Sequence, residues 1–449
     1  MANPEKTQWS SHRAFLLAAI GVAVGLGNIW RFPYITGVNG GGAFVLVYCL
    51  CVAVLGVPLA MAEIAIGRRG GGSAVGTMNK LTTDEGSSSF WKSVGWQAIL
   101  APIVGLMYYS VVAGWTMDYA VSALFGTFEG VDNANSAGAI FADLTNDTPR
   151  MMLSHGIFIG LTIFIVAAGI RNGLERAVKS LMPALFAILL VLVAYSAFTA
   201  DFAGGLAYLF RPDFTKLNSG VVLMAIGQAF FSMAVAVGAL ITYGAYMPKG
   251  VSIPRVAGIL ALADTVVAIL MGLVIFPIVL SYGLEPGEGP GLVFVTLPIA
   301  FGQMPAGALF GALFFTLMAI AAITSSIGML EPPVAWLVEH RGFSRAPTTI
   351  GLGAAIWLCG IPALLSFNHL ATFRPIADKS IFDMMDFFTG SIVIPVGGFL
   401  LAVYAGWVLS GDALREELGL QDSAWFGRLR FVLRFVAPVA IALVFVTAL

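Results

Sequence analysis

Charged residues are scarce in this sequence. Asp, Glu, Lys and Arg make up 10% of the 449 residues and the formal net charge is −1, whereas a soluble domain carries about 25% charged residues. This composition excludes a soluble globular domain, and a chain so close to neutrality has no net positive charge to attract nucleic acid. The 59% of hydrophobic residues instead indicate a protein that lies in a lipid bilayer.

Cysteine and histidine are also scarce. The three cysteines fall in apolar stretches and predict buried thiols, not a disulfide framework or a metal site. The four histidines, His12, His155, His340 and His369, are all expected at span edges or in loops. A catalytic triad or metal cluster based on histidine is then not expected at mid-depth, so the sequence does not indicate an enzyme.

Long apolar runs predict eleven transmembrane helices, because about 20 apolar residues are needed to cross the hydrocarbon core. The spans are expected near residues 14–36, 42–67, 94–125, 152–171, 177–199, 220–246, 254–283, 305–338, 348–366, 386–409 and 428–447. The odd number places the two termini on opposite sides of the membrane. The segment 126–150, rich in Gly, Asn and Asp, is predicted to be an external surface loop.

The distribution of basic residues predicts the orientation. Most of the 23 Lys and Arg fall on the side of the N-terminus, so the positive-inside rule predicts a cytoplasmic N-terminus and an external C-terminus in the inner (plasma) membrane of the cell. The predicted organisation is a cytoplasmic N-terminal segment at 1–13, a five-helix repeat at 14–199, an external connection at 200–219, a second five-helix repeat at 220–409, and a cytoplasmic loop with the eleventh helix at 410–449.

The first span contains residues that oppose a continuous helix. Gly25 and Gly27 each lower helix stability by about 1 kcal/mol relative to Ala, and Asn28 and Arg31 follow in a region where polar groups are costly. A helix-packing face through Gly21-x-x-x-Gly25 is an alternative that explains the glycines, but it does not explain the amide or the guanidinium. We therefore expect this helix to be broken.

The sixth span carries Gln228 and Ser232 at mid-membrane depth. A serine that bonds back to its own helix is one explanation. However, if spans 1–5 and 6–10 form two five-helix repeats, spans one and six are corresponding members, and interrupted helices at matching places indicate a binding site. A broken helix exposes amide N–H groups and carbonyls that water cannot satisfy in the hydrocarbon core, so ligands must.

Acidic and hydroxyl side chains in other spans indicate the chemistry of those ligands. Asp264 lies midway along the seventh span with no basic residue within helical reach, so it must be protonated or face a cation. The run Thr324-Ser325-Ser326 in the eighth span offers hard oxygens suited to an alkali ion, although such hydroxyls can also bond back to their own helix. Two further acids in the spans are predicted to hold unwound backbone near the breaks: Glu63 and Glu331.

Short motifs follow one another along the first ten spans. They are Gly25-Leu26-Gly27-Asn28-Ile29-Trp30-Arg31-Phe32-Pro33, Asn39-Gly40-Gly41-Gly42-Ala43-Phe44, Tyr108-Tyr109, Trp115, Gly227-Gln228-Ala229-Phe230-Phe231, Thr324-Ser325-Ser326 and Met385-Asp386-Phe387. Together they resemble the signature of the neurotransmitter:sodium symporters, especially the bacterial amino acid transporters of that family. The resemblance implies an all-α polytopic membrane protein with eleven transmembrane helices, built as a 5+5 inverted repeat with helices one and six broken, plus one extra helix.

The resemblance implies two sodium sites made only of oxygen ligands, as hard cations require. The first would combine the substrate carboxylate with the carbonyl of Ala23, the side chain of Asn28, the carbonyl and hydroxyl of Ser232, and Asp264. The second would combine the carbonyls of Gly21, Val24 and Ala321 with the hydroxyls of Thr324 and Ser325.

It also implies an amino acid site between the broken helices, with a gate on either side. The substrate carboxylate would meet the N–H groups of Leu26 and Gly27 and the hydroxyl of Tyr109, and its amine would meet the carbonyls of Ala23, Phe231 and Ser232. The other implied substrate contacts are Gly25, Gly105, Ala234, Val237, Ser325 and Met329. The outer gate would be Arg31 with Asp386, beside Phe231 and Tyr109, and the inner gate would be Lys6, Trp9, Tyr246 and Glu339.

Departures from the family pattern bear on the substrate. Gly25 stands where monoamine carriers have an aspartate, which favours a substrate with its own carboxylate. Ala234 replaces a hydroxyl residue and Val237 replaces a phenylalanine found in some amino acid members, and both changes enlarge the pocket. The larger pocket permits larger or N-substituted substrates, proline included.

Two positions bear on the accompanying ions. Asp264 stands where chloride-dependent members have an asparagine, and Ala268 stands where they have a serine, so the fixed negative charge predicts transport without chloride. Without sodium the buried carboxylate would be unpaired and would take up a proton. The return step would then export that proton.

The sequence thus predicts a sodium-coupled symporter that imports a neutral, hydrophobic amino acid by alternating access, with two sodium ions, no chloride and no covalent chemistry. A proline-like imino acid substrate and a non-transporting solute-binding sensor of the same fold are the alternatives left open. A sodium-gated channel is disfavoured, because the sequence lacks rings of charge and a filter loop. The predicted partners are the amino acid and the lipid bilayer, without nucleic acid, and no oligomeric state is predicted.

Overall fold

The structure is a computed structural model that describes residues 8–248, 250–284, 291–421 and 424–448. Over these ranges the regular secondary structure is helical apart from two isolated β-bridges, Gly41 with Pro212 and Ile376 with Lys379. The predicted all-α class is confirmed.

Nine helices in the described ranges are long and apolar enough to cross a bilayer without a break. They are span 2 (Gly42–Gly70), span 3 (Ser89–Leu124), span 4 (Thr148–Ala167), span 5 (Ile170–Thr199), span 7 (Ile253–Ser281), span 8 (Gly307–Arg341), span 9 (Arg345–Leu365), span 10 (Ile381–Val408) and span 11 (Ala424–Thr447). The other two spans are each made of two half-helices, so the predicted total of eleven is reached.

Span 1 consists of the half-helices His12–Ala23 and Gly27–Val38, which meet at an angle of 53°. Its first half begins at Ser11, whose hydroxyl accepts a hydrogen bond from the N–H of Ala14 (3.2 Å), as an N-cap residue does. The glycines permit close approach at the break. A Cβ on Gly25 would lie 2.8 Å from the Ser325 Oγ, and a Cβ on Gly27 would lie 2.5 Å from the Phe231 ring.

Span 6 consists of the half-helices Ser219–Ser232 and Ala239–Ala245. Between them the backbone enters the left-handed region at Ala234 (φ 50°), Ala236 (φ 63°) and Gly238 (φ 82°). Such a conformation costs an L-residue roughly 1–2 kcal/mol. Both breaks predicted from the sequence are therefore present, and the alanine conformations in span 6 need support from neighbouring helices.

Spans 3 and 8 pack along one another at the centre of the bundle. Spans 5, 9 and 11 lie at its periphery, and about a third or less of each span is buried. Phe198 on span 5 is 90% exposed, and Phe164 on the neighbouring span 4 is 75% exposed. A soluble surface rarely carries so much contiguous apolar area, so this periphery is the surface that contacts lipid.

Three predictions about local structure were wrong. Of the three thiols expected to be buried, only Cys51 is; Cys49 is half-buried and Cys359 is exposed on span 9. The segment 126–150 contains the helix Ala134–Asn146, which begins where Asn133 caps the N–H of Ser136 (2.9 Å). His155 is buried inside span 4, not at its edge, because Asp147 caps the helix and Pro149 occupies its first turn. Both helices begin at polar capping residues, and a search for apolar runs does not include such residues in a helix.

Short helices cover both ends of the bundle. We call the end that carries residue 8 the N-terminal face. Chain order places the helices Ala74–Asp84 and Gly411–Leu418 on this face, and Ala134–Asn146, Phe202–Phe210 and Leu292–Gln303 on the opposite one.

Candidate functional site

A cavity of about 90 Å³ lies between the two broken spans and spans 3, 8 and 10. Eleven of the twelve predicted substrate-binding residues line it: Ala23, Gly25, Leu26, Gly27, Gly105, Tyr109, Phe231, Ala234, Val237, Ser325 and Met329. The twelfth, Ser232, lies beside the cavity in the cluster around Asp264. The structure brings these residues together, and their roles in binding remain predictions.

Sequence reasoning missed part of the lining. The additional residues are Val22, Asn28, Ala101, Tyr108, Phe230, Val235, Thr389 and Ile394. Asn28 was predicted only as a sodium ligand, and the only functional residue predicted on span 10 was Asp386 of the outer gate. A threonine within an apolar helix is too ordinary a feature to mark a binding site before the neighbouring helices are known.

The cavity has two chemically different ends. Tyr109 and Gly105 are four residues apart on span 3, and Ser325 and Met329 are four residues apart on span 8, so each pair lies on one face of its helix, one turn apart. The Tyr109 hydroxyl faces the Ser325 hydroxyl and the backbone of Leu26. At the other level, a Cβ on Gly105 would lie 2.7 Å from the terminal methyl of Met329. A ligand that fits has a polar head and an apolar side chain.

The predicted first sodium site is a connected cluster beside the polar end. The Asn28 amide donates to Asp264 Oδ1 (2.7 Å) and to Ser232 Oγ (3.0 Å), and the Tyr48 hydroxyl donates to Asp264 Oδ2 (3.1 Å). The Ser232 hydroxyl also contacts the carboxyl group of Asp264. Ala23, the predicted carbonyl ligand, ends the first half of span 1.

Asp264 is fully buried, and over the described residues it takes part in no ion pair. Its hydrogen-bond partners are all neutral groups. A buried carboxylate surrounded only by neutral donors is costly unless a cation or a proton joins it. Tyr48 was not identified from the sequence, since one aromatic residue in an apolar run reads as core.

The predicted second sodium site lies between the first half of span 1 and span 8. The Thr324 hydroxyl is 3.0 Å from the carbonyl of Ala321, and the Ser325 hydroxyl is 3.4 Å from the carbonyl of Gly21. Val24 caps the half-helix whose end faces this region. These neutral carbonyl and hydroxyl oxygens suit a hard monovalent ion. No group of three or more His, Cys, Asp or Glu able to hold a metal occurs in the described chain.

The unwound part of span 6 is held on both sides of one residue. Glu63 on span 2 accepts a hydrogen bond from the N–H of Ala236 (3.0 Å), as predicted. The Gln97 amide on span 3 donates to the carbonyl of Ala236 (2.8 Å) and to the carbonyl of Val393 on span 10 (3.2 Å). We call the two contacts of Glu63 and Gln97 with Ala236 the Ala236 clamp. They satisfy the polar atoms of a left-handed alanine that no helix can satisfy.

Glu331 has a different environment from the predicted one. It accepts hydrogen bonds from Arg345 Nη1 (3.1 Å) and from the hydroxyl of Tyr246 (3.0 Å). The prediction that Glu331 holds unwound backbone was therefore wrong. Its basic partner, Arg345, lies on span 9, so the sequence of span 8 alone does not reveal the pair. Asp118, which received no predicted role, forms an ion pair with Arg150 (Nε to Oδ2, 2.7 Å) that ties span 3 to span 4.

The two predicted gates are in different states. On the face opposite the N-terminal face, Arg31 lies over the Phe231 ring (4.7 Å). Arg31 and Asp386 line a second cavity of about 270 Å³, and they form no ion pair with each other among the described contacts. The Arg31–Asp386 pair of the predicted outer gate is therefore not formed in this structure.

The N-terminal face is closed by Trp9. Its indole N–H donates to the carbonyl of Tyr243 (3.3 Å), its backbone N–H donates to the carbonyl of Tyr246 (3.2 Å), and its side chain is buried. Glu339 accepts a hydrogen bond from the N–H of Ser73. The remaining predicted member of this gate, Lys6, lies outside the described residues.

Comparisons with known proteins agree with this architecture. The chain matches the family described as "Sodium:neurotransmitter symporter family" over residues 6–135 and 143–449. It is 36% identical to the uncharacterized sodium-dependent transporter YhdH of Bacillus subtilis (strain 168), over 99% of this chain and 98% of that protein. An uncharacterized sodium-dependent transporter of Haemophilus influenzae is 34% identical, over 100% of this chain and 99% of that one.

A solved structure gives the same result for the fold. The crystal structure of MhsT in complex with L-phenylalanine superposes with a TM-score of 0.89 at 41% identity, covering 98% of this chain and 99% of that one. The protein is accordingly a membrane transporter and not an enzyme, and it belongs to the sodium:neurotransmitter symporter family, whose members couple transport to sodium.

Proposed function

We propose that the protein imports a neutral, hydrophobic amino acid together with sodium by alternating access. The observation that carries this proposal is the position of the Asp264 cluster beside the polar end of a cavity whose other end is apolar. A substrate carboxylate at the polar end would complete the shell of a sodium ion held by Asn28 and Asp264. Each ligand would then raise the affinity of the other by the same factor.

The head group of the amino acid would be held by the broken helices. Its carboxylate would accept hydrogen bonds from the N–H groups of Leu26 and Gly27 and from the Tyr109 hydroxyl, which supports the proposal because these groups share one end of the cavity. Its amine would donate to the carbonyls of Ala23, Phe231 and Ser232. Positive ends of half-helices favour the carboxylate in the same way.

The hydrophobic side chain would occupy the end formed by Gly105 and Met329. Support comes from the apolar lining there and from MhsT, whose structure holds L-phenylalanine. Because Gly105 contributes no side chain, a large substrate is favoured over a small one.

We propose two sodium ions as the coupling ions. The first would bind at Ala23, Asn28, Ser232 and Asp264, and the second at Gly21, Val24, Ala321, Thr324 and Ser325. The hydroxyl and carbonyl oxygens of Thr324, Ala321 and Gly21 that already lie near each other support the second site.

We further propose that chloride is not required and that a proton returns in place of sodium. The buried carboxyl of Asp264 supplies the negative charge, and Ala268 offers no hydroxyl to an anion. When sodium leaves, the neutral surroundings of Asp264 favour its protonated form.

Uptake into proteoliposomes tests these proposals. We expect radiolabelled L-phenylalanine to accumulate under an inward sodium gradient, with or without external chloride, and the lumen to become alkaline. Equal uptake in potassium contradicts sodium coupling, loss of uptake without chloride contradicts chloride independence, and a constant luminal pH contradicts proton return. Accelerated exchange with unlabelled substrate inside distinguishes a carrier from a channel or a sensor, and L-proline serves as the comparison substrate.

A further inference from the structure

Thr389 is a buried residue of the cavity lining that the proposed function does not use. It lies on span 10, is 2% exposed, and its hydroxyl has no hydrogen-bond partner among the described residues. A buried hydroxyl without a partner costs free energy. Nothing in the gate at Asp386, one turn away, or in the predicted sodium sites employs it.

Two other buried threonines of the bundle form a hydrogen bond to a carbonyl of the preceding turn in their own helix. Thr162 bonds the carbonyl of Phe158 (3.1 Å), and Thr349 bonds the carbonyl of Arg345 (2.9 Å). Thr389 instead lies in a π-helical turn, Phe388–Val393, where the backbone is wound more widely than in an α-helix. Its hydroxyl forms no such bond to a carbonyl of the preceding turn.

Thr389 lies beside Gly105 at the apolar end of the cavity. A Cβ on Gly105 would lie 3.7 Å from the Thr389 Cγ2 and 2.7 Å from the terminal methyl of Met329. No side chain of span 3 therefore stands between Thr389 and the apolar end of the cavity. This end is about one helical turn, roughly 5.4 Å, from the level of Tyr109 and Ser325, where the polar head would bind.

We propose that Thr389 determines substrate specificity by hydrogen bonding the far end of an aromatic side chain. The substrate class is then an aromatic amino acid whose ring carries a polar group, such as the phenol of tyrosine or the indole N–H of tryptophan. A threonine hydroxyl both donates and accepts, so it suits either. This inference rests on the proposed function, because it takes the head group to lie at the Tyr109 end.

Two substitutions separate the hydroxyl from the shape of the side chain. Thr389→Val keeps the branched shape and removes the hydroxyl, whereas Thr389→Ser keeps the hydroxyl and is the matched control. On the ligand side, L-tyrosine and 4-methyl-L-phenylalanine have similar shapes, and only tyrosine can form the bond. Sodium-dependent binding of both ligands to the full-length protein gives a double-mutant cycle. The cycle separates the interaction between the Thr389 hydroxyl and the ligand hydroxyl from other effects of either change.

We expect the wild-type protein to bind tyrosine at least about fivefold more tightly than 4-methylphenylalanine, in line with the cost of an unmade buried hydrogen bond. Thr389→Val should abolish that preference, because valine cannot form the hydrogen bond, and Thr389→Ser should retain it.

The inference is overturned if the preference persists in Thr389→Val, or if the wild-type protein shows none. The second criterion holds even if the valine variant does not fold. Failure of the proposed function is distinguishable, since in that case the wild-type protein binds neither L-phenylalanine nor tyrosine in sodium.

Discussion

At the scale of single residues, the proposed ion coupling depends on Asp264. It is fully buried, and its hydrogen-bond partners Asn28, Tyr48 and Ser232 are all neutral. The carboxyl group therefore needs a positive charge from outside the protein, either an alkali ion or a proton. Replacing the carboxyl by an amide removes that need and, with it, the fixed negative charge.

Asp264→Asn should lower sodium-driven L-phenylalanine uptake in chloride-free medium by about tenfold or more, since one lost charge interaction of 1.4 kcal/mol already amounts to tenfold. External chloride should restore part of the uptake by supplying the missing charge, and luminal alkalinisation should disappear. Asp264→Glu, which keeps the charge, is the control. Uptake in Asp264→Asn that equals the wild type without chloride would contradict the assigned role.

The residues that were not predicted share a physical reason. Tyr48 contacts Asp264 across 216 positions of sequence, and Thr389 lines the cavity beside Gly105 of another helix. Glu331 was given the wrong partner because Arg345 lies on the next span. Such contacts depend on how the helices pack, and the sequence of one apolar helix does not show which helices lie beside it.

At the scale of elements, the break in span 6 depends on helices that are themselves unbroken. Ala236 adopts a left-handed backbone conformation, and the Ala236 clamp supplies its N–H with Glu63 and its carbonyl with Gln97. The same amide of Gln97 also binds the carbonyl of Val393. The geometry of the substrate cavity is thus maintained jointly by spans 2, 3 and 10.

Gln97→Leu should lower the thermal midpoint and weaken L-phenylalanine binding by about fivefold or more. The substitution leaves the buried carbonyls of Ala236 and Val393 without a donor, which costs about 1–3 kcal/mol for each carbonyl. Gly397→Ala should have the same effect, since a Cβ there would lie 2.1 Å from the Gln97 side chain and would displace it. Gly351→Ala on span 9, where a Cβ meets nothing within 4 Å, is the control. If Gln97→Leu behaves like that control, the clamp has no energetic role.

The breaks themselves could be predicted because their cause is local. Gly25, Gly27 and Asn28 interrupt an apolar run within four positions, and the cost of continuing a helix through them can be read from residue type. The helix Ala134–Asn146 was missed for the opposite reason: it forms from polar capping residues outside any apolar run. Hydropathy finds what crosses the bilayer and not what lies on it.

At the scale of the whole molecule, the two faces differ in how tightly they are closed. Trp9 is buried against Tyr243 with ring centroids 5.1 Å apart and bonds the carbonyls of Tyr243 and Tyr246. On the other face, a cavity of about 270 Å³ extends past Arg31 and Asp386. The N-terminal face is therefore closed by a buried tryptophan, whereas the opposite face has a cavity beside its predicted gate residues.

Trp9→Ala should shift the population away from this state, because removal of a buried tryptophan costs about 3–5 kcal/mol. Hydrogen exchange should accelerate at residues 9–16 and 239–246, and the apparent affinity for L-phenylalanine in sodium should fall with the fraction of competent protein. Trp9→Phe, which keeps an aromatic ring beside Tyr243, should behave closer to the wild type. Unchanged exchange in Trp9→Ala would show that other contacts hold this face closed.

The π-helical turn at Phe388–Val393 has a consequence for comparing members of the family. One residue more than an α-turn rotates the following part of span 10 by about 100° relative to the preceding part. Asp386 and Ile394 both face cavities because of this offset. A homologue with a single deletion here would turn a different side chain toward its substrate, so insertion and deletion patterns in this helix should track substrate preference across the family.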